Sequence, residues 1–344
     1  MRYINELDPT ELSEFISSCS QPPYRLHQIY QWLYKEGVDS FEKMSNLPKP
    51  FREKLKDHFL LSFPRVAEVL TSEDGTQKFL LRLEGRVTIE TVGIKDKGRL
   101  TLCLSTQAGC RQGCSFCLTG KIGFYRSLRH HEISDQVIVV SNFIKPEKIT
   151  HIVLMGMGEP LDNYLQTIRA IKTLIDPERG SFHPRRITLS TVGFVPGIYQ
   201  LGKEKLGIKL AVSLNAPTDK IRNALMPVNR NYPLSDLMEC MRNYPLPPGQ
   251  KITIEYCLIR GLNDSHNCAA TLASLLQCLK GRVKVNLIPY NENPILPFQA
   301  PTMESLDRFQ TCLVEKGILA FIRKSKGKDI LAACGQLGYQ SYEN

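Results

Sequence analysis

From residue 100 onward, short apolar segments alternate with amphipathic segments, and this alternation limits the fold more than any other feature of the chain. The apolar segments predict strands at Leu100–Ser105, Ile149–Met155, Arg186–Ser190, Ile208–Ser213, Lys251–Leu258, Val283–Pro289 and Ile318–Ile322. The segments between them predict helices at His131–Phe143, Tyr164–Leu174, Asn267–Leu279 and Met303–Glu315. Strands that alternate with helices form parallel βα units, arranged as a barrel or as an open sheet. In either arrangement, ligands bind beyond the carboxyl ends of the strands.

The residues before 95 follow a different pattern. Apolar residues at helical spacing predict short helices at Glu11–Cys19, Arg25–Glu36 and Pro50–Leu60. Two strand-like runs follow, Lys78–Leu83 and Val87–Ile94, which are joined by a polar turn. The sequence therefore predicts a small helical module followed by a β-hairpin.

Composition indicates a globular protein that works without a membrane. Of the 344 residues, 42% are hydrophobic and 23% are charged, which is typical of a chain that buries a core of its own. No apolar run approaches the length of about 18 residues that spans a bilayer. The acidic N-terminus lacks the apolar region of a secretory signal. We therefore expect a cytoplasmic enzyme.

The charge of the chain favours a polyanionic partner. There are 44 Lys and Arg against 34 Asp and Glu, a net charge of +10. Phosphate contacts by basic side chains release counterions and so favour binding of nucleic acid. Basic residues gather at Lys121–Arg129, Arg185–Arg186 and Arg323–Lys328, which predicts phosphate contacts around the mouth of a site. A basic surface that only keeps the protein in solution is the alternative.

Three of the eleven cysteines are closely spaced. Cys110, Cys114 and Cys117 form the pattern C-x3-C-x2-C on a glycine-containing polar segment after the first predicted parallel strand. Cysteines of a cytoplasmic protein are normally reduced, so a cluster indicates metal or redox chemistry. Three thiolates can bind three irons of a four-iron cluster and leave the fourth iron open. Three thiolates and a histidine can also hold zinc, although the nearby His130 and His131 begin a predicted helix. Buried structural cysteines are a third interpretation.

The cysteine pattern and a series of later motifs resemble the RlmN family of radical S-adenosylmethionine (SAM) enzymes. The likeness runs in order from about Tyr24 to Leu337. The motifs that carry it are Cys103-Leu-Ser-Thr-Gln-Ala-Gly-Cys110, Gly156-Met-Gly-Glu-Pro160, Leu189-Ser-Thr-Val-Gly193, Val212-Ser-Leu-Asn-Ala-Pro217, Asn286-Leu-Ile-Pro-Tyr-Asn291 and Asp329-Ile-Leu-Ala-Ala-Cys-Gly-Gln-Leu337.

The resemblance implies an α/β fold, a partial parallel (β/α) barrel with a small N-terminal helical module and a β-hairpin. It implies three parts: an RNA-binding module with the hairpin at 1–94, the barrel at 95–328, and a C-terminal loop at 329–344. It implies methylation of adenine C2 in 23S ribosomal RNA and in transfer RNA. A relative that methylates C8 of the same adenine with similar residues is an alternative. A non-enzymatic RNA-binding protein with structural zinc is an alternative of another class.

The family likeness also assigns the reacting side chains. It implies one [4Fe-4S] cluster on Cys110, Cys114 and Cys117, and two SAM molecules per turnover, one of which yields a 5′-deoxyadenosyl radical. Cys334 would carry the methyl group, and Cys103 would release the product through a transient disulfide. Glu90 would accept the proton from C2. From the residues alone, Glu90 is an exposed strand carboxylate and Cys334 a buried cysteine.

Motif positions imply the SAM contacts and the partners. The contacts are Gly158, Glu159, Ser190, Ser213, Leu214, Asn215 and Asn291. Asn215 stands where family members often have His, so a role that needs imidazole would be lost there. The implied partners are 23S rRNA, tRNA and an electron donor such as flavodoxin or ferredoxin, with no membrane, and the protein is expected to be a monomer.

Overall fold

The computed structural model describes residues 1–338. Its strands are, in chain order, β1 (Arg2–Tyr3), β2 (Phe59–Leu60), β3 (Arg65–Thr71), β4 (Gln77–Arg82), β5 (Thr88–Asp96), β6 (Arg99–Cys103), β7 (Gln107–Gly109), β8 (Phe124–Ser127), β9 (His151–Leu154), β10 (Ile187–Thr191), β11 (Lys209–Ser213), β12 (Ile252–Leu258), β13 (Val283–Pro289) and β14 (Ala320–Ile322). Its helices are α1 (Pro9–Ser18), α2 (Arg25–Tyr30), α3 (Lys49–His58), α4 (Leu118–Lys121), α5 (His130–Phe143), α6 (Tyr164–Ile175), α7 (Val195–Glu204), α8 (Asp219–Leu225), α9 (Leu234–Asn243), α10 (His266–Leu276) and α11 (Met303–Glu315).

A ten-stranded sheet forms the centre of the protein, in the order β14-β13-β12-β11-β10-β9-β6-β5-β4-β3. Within this sheet, β6 and β9 to β14 are parallel to one another. The strands β3, β4, β5 and β6 pair in antiparallel fashion. Helices connect successive parallel strands, as βα units require. This architecture confirms the predicted α/β fold with a partial parallel barrel. It also places the carboxyl ends of all the parallel strands at one edge.

The parallel strands form because the apolar side chains on one of their faces are buried in the core. Leu102, Ile152, Leu189, Leu210 and Ile254 come from five successive strands and are at most 1% exposed. They belong to one continuous hydrophobic core. The other face is only partly buried in most of these strands. The apolar residues were nevertheless enough to predict strand bounds close to those observed.

The N-terminal module has a small core of its own, built by the first three helices and the segments between them. The predicted helix Arg25–Glu36 is divided, since α2 ends at Tyr30 and a wider π-helical turn continues to Glu36. Gly37 ends this turn at φ 63°, and a Cβ there would lie 2.4 Å from Nδ2 of Asn142. The module therefore packs closely on α5 of the barrel.

Several elements differ from the sequence prediction. A third strand, β3, extends the predicted hairpin. Its residues are partly or fully exposed, so its sequence lacks the alternation of buried apolar and exposed polar residues that predicts a strand. The proposed boundary at residue 94 falls inside β5, which pairs with β6 of the barrel, and the three-part division stays a prediction. Residues 339–344 of the proposed C-terminal loop lie outside the described residues. Within residues 1–338, no helix has both the length and the apolar character needed to cross a bilayer.

Candidate active site

A cavity lies at the carboxyl ends of the parallel strands, where the loops after them converge. We call it the cysteine cavity. Its walls include Cys110, Cys114, Cys117, Gly156, Gly158, Glu159, Ser190, Ser213, Asn215, Glu255, Cys257, Arg323 and Cys334. Residues from four predicted loop motifs and from the C-terminal segment thus meet in one place, as the rule for parallel strands predicts.

The cysteine trio lies in the connection between the paired strands β7 and β8, ahead of the short helix α4. Cys110 follows β7, and its backbone N–H donates to the carbonyl of Gly123 at 2.8 Å. Gly109 has φ 75°, and a Cβ there would lie 1.9 Å from the oxygen of Gly123. Only glycine fits this approach. Cys117 lies at the start of α4, which begins at the next residue.

Burial keeps the three thiols neutral in the absence of a bound cation. It raises the pKa of Cys110 to about 12, and it also raises the pKa of Cys114 and Cys117. A thiol must lose its proton to bind iron, so a cationic ligand would replace the proton in this cavity. The donor set therefore fits an iron–sulfur cluster, in which each thiolate binds a different iron.

The zinc alternative finds no support in the positions of the histidines. Nδ1 of His131 is 3.3 Å from Oδ2 of Asp135, and Nδ1 of His130 is 3.3 Å from Oε1 of Gln166, both within the helical layer. Among residues 1–338, no three His, Cys, Asp or Glu side chains are grouped so as to hold a single metal ion.

The loop after β9 brings Glu159 into the cysteine cavity. Its Oε1 accepts the N–H of Leu161 at 3.0 Å, and its Oε2 accepts the N–H of Val192 at 2.9 Å. The side chain is 2% exposed, and burial raises its pKa to about 7. Gly158 packs against Gln107, where a Cβ would approach within 2.5 Å. Glu159 thus ties the loop after β9 to the loop after β10, and its remaining lone pairs are available to an ammonium group.

Five of the seven predicted SAM contacts line the cysteine cavity, namely Gly158, Glu159, Ser190, Ser213 and Asn215. Leu214 is fully buried, and its N–H donates to the carbonyl of Glu255. Asn291 instead donates from Nδ2 to the carbonyl of Cys334 at 3.0 Å. These two residues are therefore not among the cavity walls, and the SAM contacts stay a prediction.

Asn215 has a structural role that explains its side chain. It has φ 57°, a left-handed conformation that Asn adopts more readily than most residues. Its Oδ1 accepts the N–H of Cys257 at 2.8 Å. Asn263 donates from Nδ2 to the carbonyl of Asn215 at 2.7 Å. The side chain of Asn215 therefore binds the backbone of Cys257, at a position where the family often has His.

Sequence reasoning missed Arg222, a fully buried residue that braces two loops of the cavity. Its guanidinium donates to the carbonyls of Val192 at 2.6 Å and Leu214 at 3.1 Å, and to Oδ1 of Asn229 at 2.8 Å. Burial lowers its pKa to about 10. Arginine can satisfy several carbonyls at once because its donors point in fixed directions. No motif in the sequence distinguishes this arginine from the surface ones.

A second cavity adjoins the first and has basic walls. We call it the basic cavity. Its walls include Lys97, Arg99, Cys103, Lys209, Glu255, Lys284, Asn286, Arg323, Lys324, Lys326 and Cys334. Burial and nearby cations lower the pKa of Lys209, with Lys284, Arg99 and Arg185 contributing. Mutual repulsion of this kind is relieved when a polyanion binds.

The three basic clusters of the sequence have different surroundings. Arg126 pairs with Glu132 at 2.7 Å, and Arg129 with Glu6 at 3.3 Å, so the first cluster is partly neutralised. Arg185 and Arg186 precede β10, at the opposite end of this strand from Ser190. The expectation that all three clusters surround the active-site mouth is therefore wrong in part. Only Arg323–Lys328 contributes to the wall that holds Cys334.

Cys103 and Cys334 both line the basic cavity, although they are far apart in sequence. Burial, with a smaller contribution from the neighbouring Cys334, raises the pKa of Cys103 to about 12. Cys334 is exposed and also lines the cysteine cavity, so the prediction of a buried cysteine from the residues alone is wrong. All eleven cysteines are free thiols, and no disulfide joins Cys103 to Cys334.

Glu90 is buried, so its interpretation as an exposed strand carboxylate is wrong. It lies in β5 with no exposed surface, and the ammonium of Lys78 is 3.6 Å from its Oε2. Lys78 also donates to the carbonyl of Leu331 at 3.4 Å. Glu90 is not among the walls of the two cavities described above. Lys78 nevertheless connects it to the segment that carries Cys334.

The protein is similar over nearly its whole length to known methyltransferases. Residues 4–61 match the family model of the ribosomal RNA large subunit methyltransferase N-terminal domain, and residues 104–270 match the radical SAM superfamily. The dual-specificity RNA methyltransferase RlmN of Syntrophus aciditrophicus is 46% identical over 99% of this chain and 97% of its own. The corresponding protein of Geotalea uraniireducens is 44% identical over 95% of this chain and 94% of its own. The crystal structure of a radical SAM methyltransferase from Sphaerobacter thermophilus is 41% identical, covers 98% of this chain and 99% of its own, and superposes with a TM-score of 0.92.

The buried pair of Lys78 and Glu90 predicts a stability cost that a second substitution relieves. Lys78→Met removes the ammonium beside the buried carboxylate and should lower the free energy of unfolding by about 3 kcal/mol. Adding Glu90→Gln should recover a large part of this loss, which urea denaturation measures. Lys56→Met breaks an exposed pair with Glu42 and should scarcely change the unfolding midpoint. Strictly additive losses in the double variant would contradict a direct interaction.

Proposed function

The chain belongs to the RlmN family of radical SAM RNA methyltransferases, and we propose that it methylates C2 of an adenosine in 23S ribosomal RNA and in transfer RNA. The observation that carries this proposal is the position of Cys334. This residue lines both the cysteine cavity and the basic cavity, and it shares the second with Cys103. A group carried by its sulfur can therefore meet SAM on one side and RNA on the other. The relatives at 46% and 44% identity are dual-specificity RNA methyltransferases of the RlmN family, so methylation at C8 is not favoured.

The cysteine trio would hold one [4Fe-4S] cluster. Cys110, Cys114 and Cys117 bring three thiols to one buried cavity whose remaining wall carries Glu159 and two serines. When bound, the cluster supplies an electron that splits SAM and yields an organic radical. Glu159 would accept from the ammonium group of SAM, and Arg222 keeps the loops of Val192 and Leu214 in place around it.

Cys334 would act as the methyl carrier. Adenine C2 is electron-poor, so it cannot attack the methyl group of SAM as an ordinary nucleophile. The Cys334 thiolate would take a methyl from one SAM, which leaves as S-adenosylhomocysteine. The radical formed from a second SAM would remove one hydrogen atom from that methyl, so that its carbon can add to C2. Asn291 donates to the backbone carbonyl of Cys334 and so orients the carrier between the two cavities.

Glu90 and Cys103 would complete the reaction. The family likeness makes Glu90 the acceptor of the proton that C2 gives up, although Glu90 does not line either cavity in this structure. Lys78 compensates the charge of this buried carboxylate. The thiolate of Cys103 would then attack the sulfur of Cys334 and form a transient disulfide. The bond from that sulfur to the transferred carbon would break, and the carbon would keep the electron pair and take up a proton to complete the methyl group. Cys103 suits this step because it lines the same cavity as the carrier.

The basic cavity would receive the RNA. Lysines at the amino ends of β11 and β13 and the segment from Arg323 surround it. An adenine reaches an enclosed sulfur when it leaves its stack, as bases do in other enzymes that modify them. Flavodoxin or ferredoxin would supply electrons, and we propose that the protein acts as a cytoplasmic monomer.

Cluster binding should depend on the trio and be independent of Cys257, a cysteine in the same cavity. After anaerobic reconstitution, Cys114→Ala should lose iron and the broad absorbance at about 400 nm. Cys257→Ala should retain both. Equal iron content in the two variants would contradict the assignment.

The two cysteines of the basic cavity should have different phenotypes. Cys334→Ala should abolish methylation, because no sulfur accepts the methyl group. Cys103→Ala should accumulate a covalent adduct between protein and RNA, which denaturing electrophoresis and mass spectrometry detect. Cys240 is buried and lines neither the cysteine cavity nor the basic cavity. The variant Cys240→Ala should therefore behave as the unmodified protein. Absence of the adduct in Cys103→Ala would remove this residue from the release step.

Lysines of the basic cavity should contact phosphates. Replacing Lys324 and Lys326 by Gln should weaken RNA binding and reduce the slope of log affinity against log salt by about 0.7–0.9 per lost contact. Lys203 and Lys316 are exposed and do not line the basic cavity, so the same changes there should leave the slope unaltered. Equal slopes for all variants would reject the assignment.

A further inference from the structure

Glu255 is a carboxylate in the middle of β12, a parallel strand whose other residues are mostly apolar. Its side chain is 5% exposed. Oε1 accepts a hydrogen bond from Nδ2 of Asn286 on the neighbouring strand at 3.1 Å. Oε2 is buried and has no hydrogen-bond partner among residues 1–338. Buried acceptors are nearly always paired, so an unpaired one beside a cavity indicates that a ligand supplies the donor.

The surroundings of Glu255 show which cavity its charge faces. The residue lines both cavities, at the wall between them. Asn286, which donates to Oε1, lines only the basic cavity. Of the two cations that oppose the rise in the pKa of Glu255 caused by burial, Lys284 lines only the basic cavity and Arg323 lines both cavities. Glu255 is therefore directed toward the space that we assign to RNA.

The chemistry of a carboxylate limits what it can bind there. The basic walls attract phosphates, but a carboxylate repels them. The bases and riboses of RNA carry no positive charge, so the partner of this carboxylate in an RNA is an uncharged donor. A base that has left its stack is read through hydrogen bonds to its Watson–Crick edge. On that edge adenine has a single donor group, the exocyclic amine at C6. On the same edge N1 accepts hydrogen bonds, and C2 carries the hydrogen that is replaced.

Building on the proposed function, we infer that Oε2 of Glu255 accepts a hydrogen bond from the exocyclic amine of the target adenine. Asn286 is a positioning residue that holds the carboxylate through Oε1. The contact fixes the base by its amine, so that C2 is presented to Cys334 in the wall of the same cavity. Glu255 thereby determines which purines the enzyme accepts.

The test compares two RNAs that differ only in this amine. One has adenosine at the target position, and the other has purine ribonucleoside, which keeps the C2 hydrogen but has hydrogen in place of the amine. The ratio of kcat/KM for the two RNAs is measured by mass spectrometry with the unmodified enzyme and with Glu255→Met. We expect the preference for adenosine to fall by about tenfold to a hundredfold in the variant, the effect of one hydrogen bond to a charged group. Electronic effects of the amine on C2 cancel, because both enzymes see the same RNAs.

Further variants separate recognition from folding. Glu255→Gln keeps an acceptor oxygen and should retain part of the preference, and Asn286→Ala should lower it less than Glu255→Met does. Asp96→Asn removes a carboxylate from the exposed rim of the basic cavity and should leave the ratio unchanged. If Glu255→Met does not fold, the ratio in Glu255→Gln decides, since a full preference there would overturn the inference.

The outcomes distinguish this inference from the proposed function. Failure of the unmodified enzyme to methylate adenosine RNA under reducing anaerobic conditions would overturn both. Methylation with an unchanged ratio in folded Glu255→Met would overturn the inference alone. Weaker SAM binding in that variant with an unchanged ratio would assign the carboxylate to SAM and would likewise overturn it.

Discussion

The site depends on satisfying the backbone of loops that converge inside the protein. Loops normally lie at the surface because water pairs their polar groups, and the loops after the parallel strands here meet around a buried cavity. Side chains replace the water. Arg222 pairs the carbonyls of Val192 and Leu214, and Asn263 pairs those of Asn215 and Cys257. A loop fixed by buried hydrogen bonds loses little freedom when a ligand binds, so the walls are formed in advance.

Side-chain hydrogen bonds to the backbone also hold the segment that carries Cys334, the residue that lines both cavities. The strand ends hold one wall rigidly, whereas Cys334 lies on a segment with glycines at 335 and 338, both at positive φ. Several hydrogen bonds join this segment to the fixed part of the protein, including those from Leu118 to the carbonyl of Gly335 and from Gln336 to the carbonyl of Glu292. Lys78 binds the carbonyl of Leu331, Asn291 binds that of Cys334, and Thr119 binds that of Leu337. A carrier on such a segment can shift by local changes in the glycines without disturbing the barrel.

The sequence predicted the fold and the trio well because both have local signals. Apolar runs marked the parallel strands, and the spacing of Cys110, Cys114 and Cys117 placed them on one loop. Family likeness brought Cys103 and Cys334 together, which spacing alone does not predict across the length of the barrel. Arg222 and Lys78 were missed because burial of a charged residue depends on tertiary contacts. Glu255 did carry a signal, since a carboxylate inside an otherwise apolar parallel strand is unusual.

The two cavities differ in the charged groups that act on their cysteines. In the cysteine cavity the thiols of the trio are neutral until a cation binds, because burial disfavours their ionised forms. In the basic cavity Arg323 acts on Cys103, Cys334 and Glu255, and the influence of these groups raises its own pKa. This guanidinium opposes the rise in the pKa of Cys103 that burial causes. The basic cavity therefore has a fixed cation that belongs to the chain itself, whereas the trio needs a bound metal to ionise.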